Sequence, residues 1–264
     1  MTGLTDVPSL TRRDSGHESA VLFDGDAPVA GHTRRVRCVL QPDVYRIEIE
    51  GAGTFAVARA GGAVTVLADG KNGDEAALAA ALAGPPLALG FALRGVFCLH
   101  ASAVEREGRA IAFLGESGAG KSTIARQLAG LPDGGWRRLA DDLLPVALSQ
   151  GGPEARPRFP QPGIAGAAAA ALPERLPLAA VYVLAGPAGE VAITPLAGRA
   201  GALALVRHTV AARLFAADLL ARHLEHAAAV ADTAPVRVLT YPWMADALPA
   251  VAAALAAALE RRDG

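Results

Sequence analysis

FLGESGAGKST, residues 113–123, is the stretch that decides the fold class of this 264-residue chain. Gly115, Gly120, Lys121 and Ser122 match the pattern G-x-x-x-x-G-K-[ST], in which a glycine-rich loop connects a strand to a helix. The apolar run directly before the loop predicts the strand, and the residues directly after it predict the helix. A chance match in a glycine-rich chain is the alternative, and the strand–loop–helix context argues against it. We therefore predict an α/β fold built around this loop.

The loop has the chemistry of a phosphate site. Glycines let backbone N–H groups turn inward, and the helix N-terminus adds partial positive charge. Lys121 is expected to reach the β- and γ-phosphates as a point charge, and the Ser122 hydroxyl is expected to bind Mg²⁺. The residues predicted to bind the nucleotide are Gly115, Glu116, Ser117, Gly118, Ala119, Gly120, Lys121, Ser122 and Thr123.

A pair of aspartates follows the loop by about twenty residues, in the stretch LADDLL at 139–144. A phosphate loop needs a carboxylate for Mg²⁺ at the end of a neighbouring strand. Adjacent side chains on extended backbone point to opposite faces, so one of Asp141 and Asp142 could hold Mg²⁺ while the other faces an acceptor hydroxyl. A turn or a helix cap is the alternative reading of the pair.

His100 precedes the loop in LHASAVEREGRAIAFLG, residues 99–115, which predicts two strands joined by a tight turn. A two-residue turn at Glu107 and Gly108 makes paired residue numbers sum to 215, so that His100 faces Gly115. A three-residue turn gives a sum of 214 and places His100 opposite Leu114. Either register puts the imidazole beside the loop, and a structural histidine bonded to a backbone group is the alternative.

The order of these motifs resembles the C-terminal kinase domain of the HPr kinase/phosphorylase family. LHASAV, GRAIAFLGESGAGKST and LADD carry the resemblance, which covers about residues 96–148. Phosphoenolpyruvate carboxykinase shares that fold. The resemblance implies ATP and Mg²⁺ as cofactors, with Lys121 on the phosphates and with Ser122 and Asp142 serving the metal. It also implies that Asp141 is the base toward a hydroxyl and that His100 lies near the transferred phosphoryl group.

The rest of the chain is similar to a divergent subgroup of that family. FPQPG at 159–163, VYVLAG at 181–186 and RHTVAARL at 207–214 carry this likeness. Some members of the subgroup phosphorylate a ribosomal precursor peptide. The glycine- and asparagine-containing stretch that supports reverse phosphorolysis in the bifunctional enzymes is not found after the aspartate pair. The resemblance therefore predicts a P-loop kinase domain over residues 86–264, and it leaves reverse activity, oligomeric state and the identity of the acceptor open.

The first part of the chain has a different pattern. Short runs with period-two alternation predict strands from Ala20 onward, with Tyr45, Ile47 and Ile49 on the buried face of one of them. Asp74 is placed to cap a short helix that ends before GPP, residues 84–86. We predict a small β-rich domain over residues 1–85.

Composition excludes several classes of function. The net charge is −1 and only 5% of residues are aromatic, so we expect no nucleic-acid partner. Cys38 and Cys98 form no CxxC pair, which favours a reducing cytoplasm over a disulfide or zinc framework. The first residues lack the apolar core of a signal peptide. No stretch is expected to reach the ~20 uncharged apolar residues of a membrane span, and the longest candidate, residues 200–221, carries charges.

Three functions remain in competition. The favoured one is an ATP-dependent kinase that acts on a serine or threonine hydroxyl of a peptide or protein. A small-molecule kinase with the same fold is the second, and a P-loop ATPase or regulatory nucleotide-binding module is the third. The choice of ATP over GTP rests on no base-reading motif.

Other polar and aromatic positions receive plainer predictions. Residues 200–231 are expected to form one long helix, with a buried face that comprises Leu203, Val206, Val210, Leu214, Ala217, Leu220 and Leu224. On this helix an arginine could stabilise phosphoryl charge, but a solvated face is favoured for Arg207, His208 and Arg213. The pair His223 and His226 is expected on the surface, both tryptophans are expected to pack, and Gly163 is expected in a turn.

Overall fold

The first part of the chain folds as a five-stranded antiparallel meander. The computed structural model describes residues 19–70, 74–132, 134–159 and 164–260. The strands pair in chain order, and side chains on one face, such as Tyr45 and Ile47, are fully buried, as the alternation predicted. The strands are β1 (Ala20–Val29), β2 (His32–Leu40), β3 (Val44–Ile49), β4 (Gly53–Ala58) and β5 (Val64–Asp69).

Two short helices cover this sheet, α1 (Glu75–Leu82) and α2 (Pro85–Leu93). Asp74 caps α1 as predicted, because its Oδ1 accepts a hydrogen bond from the Ala77 N–H at 3.0 Å. Together they make a 19-residue stretch, Glu75–Leu93, whose mean hydropathy of 1.8 would allow a membrane span by length and composition. The expectation that no stretch approaches this length was wrong. A turn at residues 83 and 84 interrupts the helical stretch, and Leu89 packs into the core beneath the sheet.

The second part is a nine-stranded mixed sheet. Its order is β6-β10-β11-β12-β8-β7-β9, and β14 pairs with β12 and with β13. Strands β8, β12 and β14 are parallel, and the other pairs are antiparallel. The strands are β6 (Val96–His100), β7 (Ser102–Arg106), β8 (Arg109–Leu114), β9 (Arg137–Ala140), β10 (Leu143–Ser149), β11 (Gly152–Ala155), β12 (Leu176–Leu184), β13 (Ala192–Pro195) and β14 (Val236–Thr240).

Helices pack on both faces of β8. The side chains of Ile111 and Phe113 face one layer, and those of Ala110, Ala112 and Leu114 face the other. A strand that is buried on both sides reads as a continuous apolar run, which is why the sequence before the loop has no polar alternation. The helices are α3 (Lys121–Ala129), α4 (Gly166–Ala170), α5 (Arg199–Arg207), α6 (Ala217–Thr233) and α7 (Leu248–Glu260), with a 3₁₀ turn at Ala212–Leu214.

The single long helix predicted over residues 200–231 is wrong, because α5 and α6 are separate. Between them the chain runs beside β6, where the Val210 N–H donates to the Cys98 carbonyl at 2.8 Å. These bonds to another element replace helical ones, so the periodicity does not continue across the gap. Of the predicted face, Leu203, Leu220 and Leu224 are exposed. The last amphipathic helix was predicted over residues 246–262, and α7 lies there with Leu248, Val251, Leu255 and Leu259 buried.

The two parts share a buried cluster. It joins residues of the five-stranded sheet to Phe97 of β6 and to Leu214 and Leu219 near the start of α6. The boundary predicted between residues 85 and 86 falls just inside α2, and it stays a prediction. Residues 151–178 are rich in proline, glycine and alanine and were predicted to be an irregular segment with one short helix, but strand β11 lies within them. Residues 160–163, including the predicted turn at Gly163, lie outside the described residues.

Candidate active site

The hairpin before the glycine-rich loop has the two-residue turn, which is one of the two registers predicted for it. Arg106 pairs with Arg109, and the ladder runs on to Ser102 opposite Phe113, so paired numbers sum to 215. Glu107 and Gly108 form the turn with φ of 53° and 73°. Positive φ at both central residues matches the right-handed twist of the flanking strands.

The ladder stops before it reaches His100, so the predicted pairing of His100 with Gly115 or Leu114 does not form. His100 instead ends β6, where it pairs with Leu143 of β10, and the chain crosses at Ala101 to begin β7 at Ser102. Its N–H donates to the His208 carbonyl at 2.7 Å. His100 is therefore held at a junction between strands, by bonds that hairpin geometry alone does not include.

The glycine-rich loop connects β8 to α3, as predicted. Gly118 and Gly120 have φ of 81° and 87°, and a Cβ at Gly115 would stand 2.9 Å from the Cβ of Ala119. These positions need glycine because of backbone conformation and close approach. Gly120 caps α3 without a side-chain hydrogen bond. The first N–H groups of the helix thus face the loop, where they suit an anion.

Lys121 folds back over the loop. Its Nζ donates to the carbonyls of Gly115 at 2.8 Å and Glu116 at 3.1 Å, and the side chain is buried. Burial lowers the pKa of the Lys121 ammonium, while the negative charges of Asp142 and Glu116 act in the opposite direction. The ammonium is therefore poised above the loop, where phosphate oxygens could replace the carbonyls as acceptors.

The aspartate pair forms a second strand junction, beside the one at Ala101. The stretch RRLADDLLPVAL, residues 137–148, predicts a strand that ends or kinks at the aspartates. This is confirmed, because β9 ends at Ala140 and β10 begins at Leu143. The Ala101 N–H donates to the Asp142 carbonyl at 3.1 Å, so the two junctions are bonded to each other. Two segments of the chain, at Ala101 and at the aspartate pair, thus cross between the halves of the sheet at one place, next to the start of α3.

Two serine hydroxyls fasten this junction to the loop. Ser102 Oγ donates to the main-chain carbonyl of Asp141 at 2.8 Å, and Ser122 Oγ donates to the same oxygen at 3.2 Å. The two hydroxyls lie 3.4 Å apart. Ser102 was not among the predicted site residues, although it lies two residues after His100 and is fully buried. Its position within the motif HASAV was the available signal.

The two carboxylates have different neighbours. Asp142 Oδ1 lies 3.1 Å from His100 Nδ1, and its side chain is 47% exposed. Asp141 Oδ2 lies 3.1 Å from Arg138 Nη2, with the side chain only 17% exposed. The hydrogen bond with His100 is the main cause that lowers the pKa of Asp142; burial opposes it, and the positive charges of His100 and Lys121 reinforce it. Asp142 is therefore the aspartate that contacts His100 and that interacts electrostatically with Lys121.

Residues at the end of α5 also reach the loop. Arg207, the last residue of α5, places Nη2 3.8 Å from Oε1 of Glu116, and both side chains are exposed. Burial lowers the pKa of His208, whose charge also responds to Glu116, Lys121 and His100. Arg207 and His208 were predicted near the start of a long helix, and this was wrong because α5 ends there. Arg213 is exposed in the 3₁₀ turn.

Other predictions away from the loop fared unequally. His223 and His226 are buried on the inner face of α6, so their predicted surface position was wrong. They pack against Phe97 of β6. The periodicity of the helix alone could not predict this contact, because Phe97 lies far away in the sequence. Trp136 is buried, as predicted, whereas Trp243 is 51% exposed and does not pack.

The donors beside Lys121 fit a magnesium ion. Ser122 supplies a hydroxyl and Asp142 supplies a carboxylate, which are hard oxygen ligands. Magnesium typically takes one or two protein oxygens and completes its shell with water and phosphate oxygens. Within the described ranges no group of three or more His, Cys, Asp or Glu side chains could hold a metal ion. The donor set therefore suits a metal that arrives with a nucleotide.

Comparisons with known proteins give a distant likeness. No family model matches the chain, and no curated protein matches it. Among solved structures, the chain is similar to the HPr(Ser) kinase/phosphatase from Coxiella burnetii. The match has 11% sequence identity and a TM-score of 0.37, and it covers 63% of this chain and 99% of that one.

Proposed function

We propose that this protein is a magnesium-dependent phosphotransferase that moves the γ-phosphoryl group of ATP to a serine or threonine hydroxyl of a peptide or protein. The observation that carries the proposal is the fastening of the aspartate junction to the phosphate loop. Ser102 and Ser122 share the Asp141 carbonyl, so both carboxylates are held beside the N-terminus of α3. Nucleotide binding alone would not require a second acidic residue there.

Each residue near the loop then has a defined task. The loop N–H groups and Lys121 bind the β- and γ-phosphates, and Lys121 gives up its two carbonyl partners to do so. Ser122 and Asp142 would hold the metal, and a bound metal would supply positive charge beside the phosphoryl oxygens. His100 keeps Asp142 in place through the 3.1 Å contact and lies next to the transferred group.

The transfer also needs a group that accepts the hydroxyl proton. As the acceptor oxygen forms its bond to the γ-phosphorus, the bond between that phosphorus and the bridging oxygen breaks, and ADP leaves. We assign the base to Asp141, which requires its carboxylate to turn from Arg138 toward the acceptor. The contact with Arg138 and the low exposure of Asp141 also fit a second arrangement, in which Asp141 is an anchor and the exposed Asp142 carboxylate orients the hydroxyl.

The acceptor is proposed to be a chain segment, because the site is open. Asp142, Glu116 and Arg207 are all substantially exposed around the loop, so an extended peptide could approach. A ribosomal precursor peptide is one such acceptor. We place the protein in the cytoplasm, since both cysteines are buried free thiols. The net charge of −1 argues against a nucleic-acid partner, and the packing of Leu89 into the core argues against a membrane partner. A small hydroxy compound as acceptor, or simple ATP hydrolysis, would use the same loop.

The test is transfer from γ-labelled ATP, with Mg²⁺, into peptides from the protein's own cell extract. Lys121→Ala should abolish labelling, and Asp141→Asn should lower it by about 10²- to 10⁴-fold while ATP still binds. Asp26→Asn, an exposed aspartate in β1, is the matched control and should behave as wild type. If Asp142→Asn loses transfer but Asp141→Asn keeps it, the second arrangement is right. Label that appears only as free phosphate would refute a kinase.

A further inference from the structure

The position of the aspartates gives the nucleotide a direction across the sheet. Strands β7 and β9 lie on one side of β8, and β12 and β14 lie on the other. The junction with Asp141, Asp142 and Ser102 belongs to the β7–β9 side, so the γ end of a triphosphate lies there. The sugar and base must then extend over the carboxyl ends of β12 and β14, which point the same way as β8.

The chain that leaves β14 lies against the loop. Tyr241 directly follows β14, and its Oη stands 3.8 Å from the position that a Cβ on Gly120 would occupy. Its side chain is buried. Two further residues span at most about 7 Å, so Trp243 is within reach of a nucleotide whose phosphates rest on the loop. Tyr241 thus connects the phosphate loop to the segment that follows it.

That segment carries apolar side chains that face solvent. Trp243 is 51% exposed and Met244 is 62% exposed. Every other aromatic side chain of the described residues is at least partly buried. An exposed indole at the edge of a phosphate site offers a planar face on which a base can stack.

We propose that Trp243 and Met244 form the binding surface for the purine base of the nucleotide. The proposal rests on the proposed function, because it assumes that the loop holds the phosphates. Its occupant follows from continuity, since Tyr241 links this surface directly to Gly120. Stacking reads the size of the ring and not its edge, so ATP and GTP should both bind, and more tightly than UTP.

The two tryptophans make the proposal testable by fluorescence. Trp136 lies before the amino end of β9, at the opposite edge of the sheet from the loop, beneath Arg106. The variant Trp136→Phe leaves Trp243 as the sole reporter, and Trp243→Phe leaves Trp136. ATP with Mg²⁺ should quench the emission of the first variant and leave that of the second unchanged. Inorganic tripolyphosphate should compete with ATP for the loop without quenching either.

Affinity measured by calorimetry separates the base surface from the phosphate loop. Trp243→Ser should weaken ATP binding by about tenfold or more and leave tripolyphosphate binding unchanged. Met244→Ser should weaken ATP binding less, and it repeats the test in a variant that keeps the indole. If ATP binds the wild type and Trp243→Ser equally well, the base surface is overturned and the proposed function stands. If the wild type binds neither ATP nor tripolyphosphate, both proposals fall.

Discussion

Lowering the pH from 7.5 to 5 should destabilise the fold, because two histidines are buried in it as neutral groups. His223 and His226 lie against Phe97. The centroid of the Phe97 ring is 5.0 Å from that of His223 and 4.7 Å from that of His226. His223 Nε2 lies 2.9 Å from Thr209 Oγ1, whose own proton goes to the Leu205 carbonyl. Nδ1 of His223 and Nε2 of His226 have no hydrogen-bond partner among the described residues. A proton added at either atom would be a buried charge with no compensating group.

The pKa values fix the size and sign of the effect. Burial lowers the pKa of His223 and of His226 from 6.5 to about 4, and the neighbouring His223 also lowers that of His226. Since each folded-state pKa lies below the unfolded one, the unfolded chain binds more protons between these values. The stabilisation is complete above pH 6.5 and is lost as the pH falls toward 4. At pH 5 the loss is about 2 kcal/mol per histidine, a large part of a typical stability.

Urea unfolding followed by circular dichroism at pH 7.5, 6 and 5 measures this loss. The wild type should lose about 4 kcal/mol of unfolding free energy between pH 7.5 and 5. The double variant His223→Gln/His226→Gln should lose far less over the same range, whatever its stability at pH 7.5. His32→Gln, an exposed histidine on β2, is the control and should keep the wild-type dependence. A double variant with the full wild-type pH dependence would show that these histidines are not the cause.

Three further changes test the packing and the junction. Gly62→Ala would drive its Cβ into the main-chain carbonyl of Gly90 and should cost about 3 kcal/mol or more by thermal unfolding, whereas Gly61→Ala, with similar φ but open space, should cost about 1 kcal/mol. Asp74→Ala should lose the α1 cap and about 1 kcal/mol in urea unfolding, and an unchanged midpoint would contradict the cap. Ser102→Ala should cost about 1 kcal/mol and reduce label transfer, and full transfer would argue against the fastening of the junction.

Features that depend on neighbours in the chain could be predicted from the sequence. Turn chemistry at Glu107 and Gly108 determines the hairpin register, and local backbone demands determine the loop at Gly115 and Gly120. The interruption at the two aspartates was also expected, because Asp is unfavourable inside a buried strand. Each of these predictions needs only a few consecutive residues.

Features that depend on distant partners could not be predicted. The gap between α5 and α6 exists because residues 208–210 bond to β6, and a helical pattern does not reveal a strand a hundred residues earlier. The burial of His223 depends on Phe97 in the same way. Likewise, His100 leaves the hairpin ladder because the His208 carbonyl and Leu143 supply its partners. These contacts appear only when the sheet is assembled.

The Asp141 main-chain carbonyl holds the junction to the loop, and the Asp141 side chain takes no part in these bonds. Both serine hydroxyls bond a main-chain oxygen, which every amino acid possesses, so the side chain at position 141 can change while the junction persists. Under the proposed function, a descendant that lost the carboxylate would keep the loop that binds nucleotide while losing transfer. Substitutions at 141 would then suit attempts to trap the proposed acceptor peptide on a folded, inactive protein.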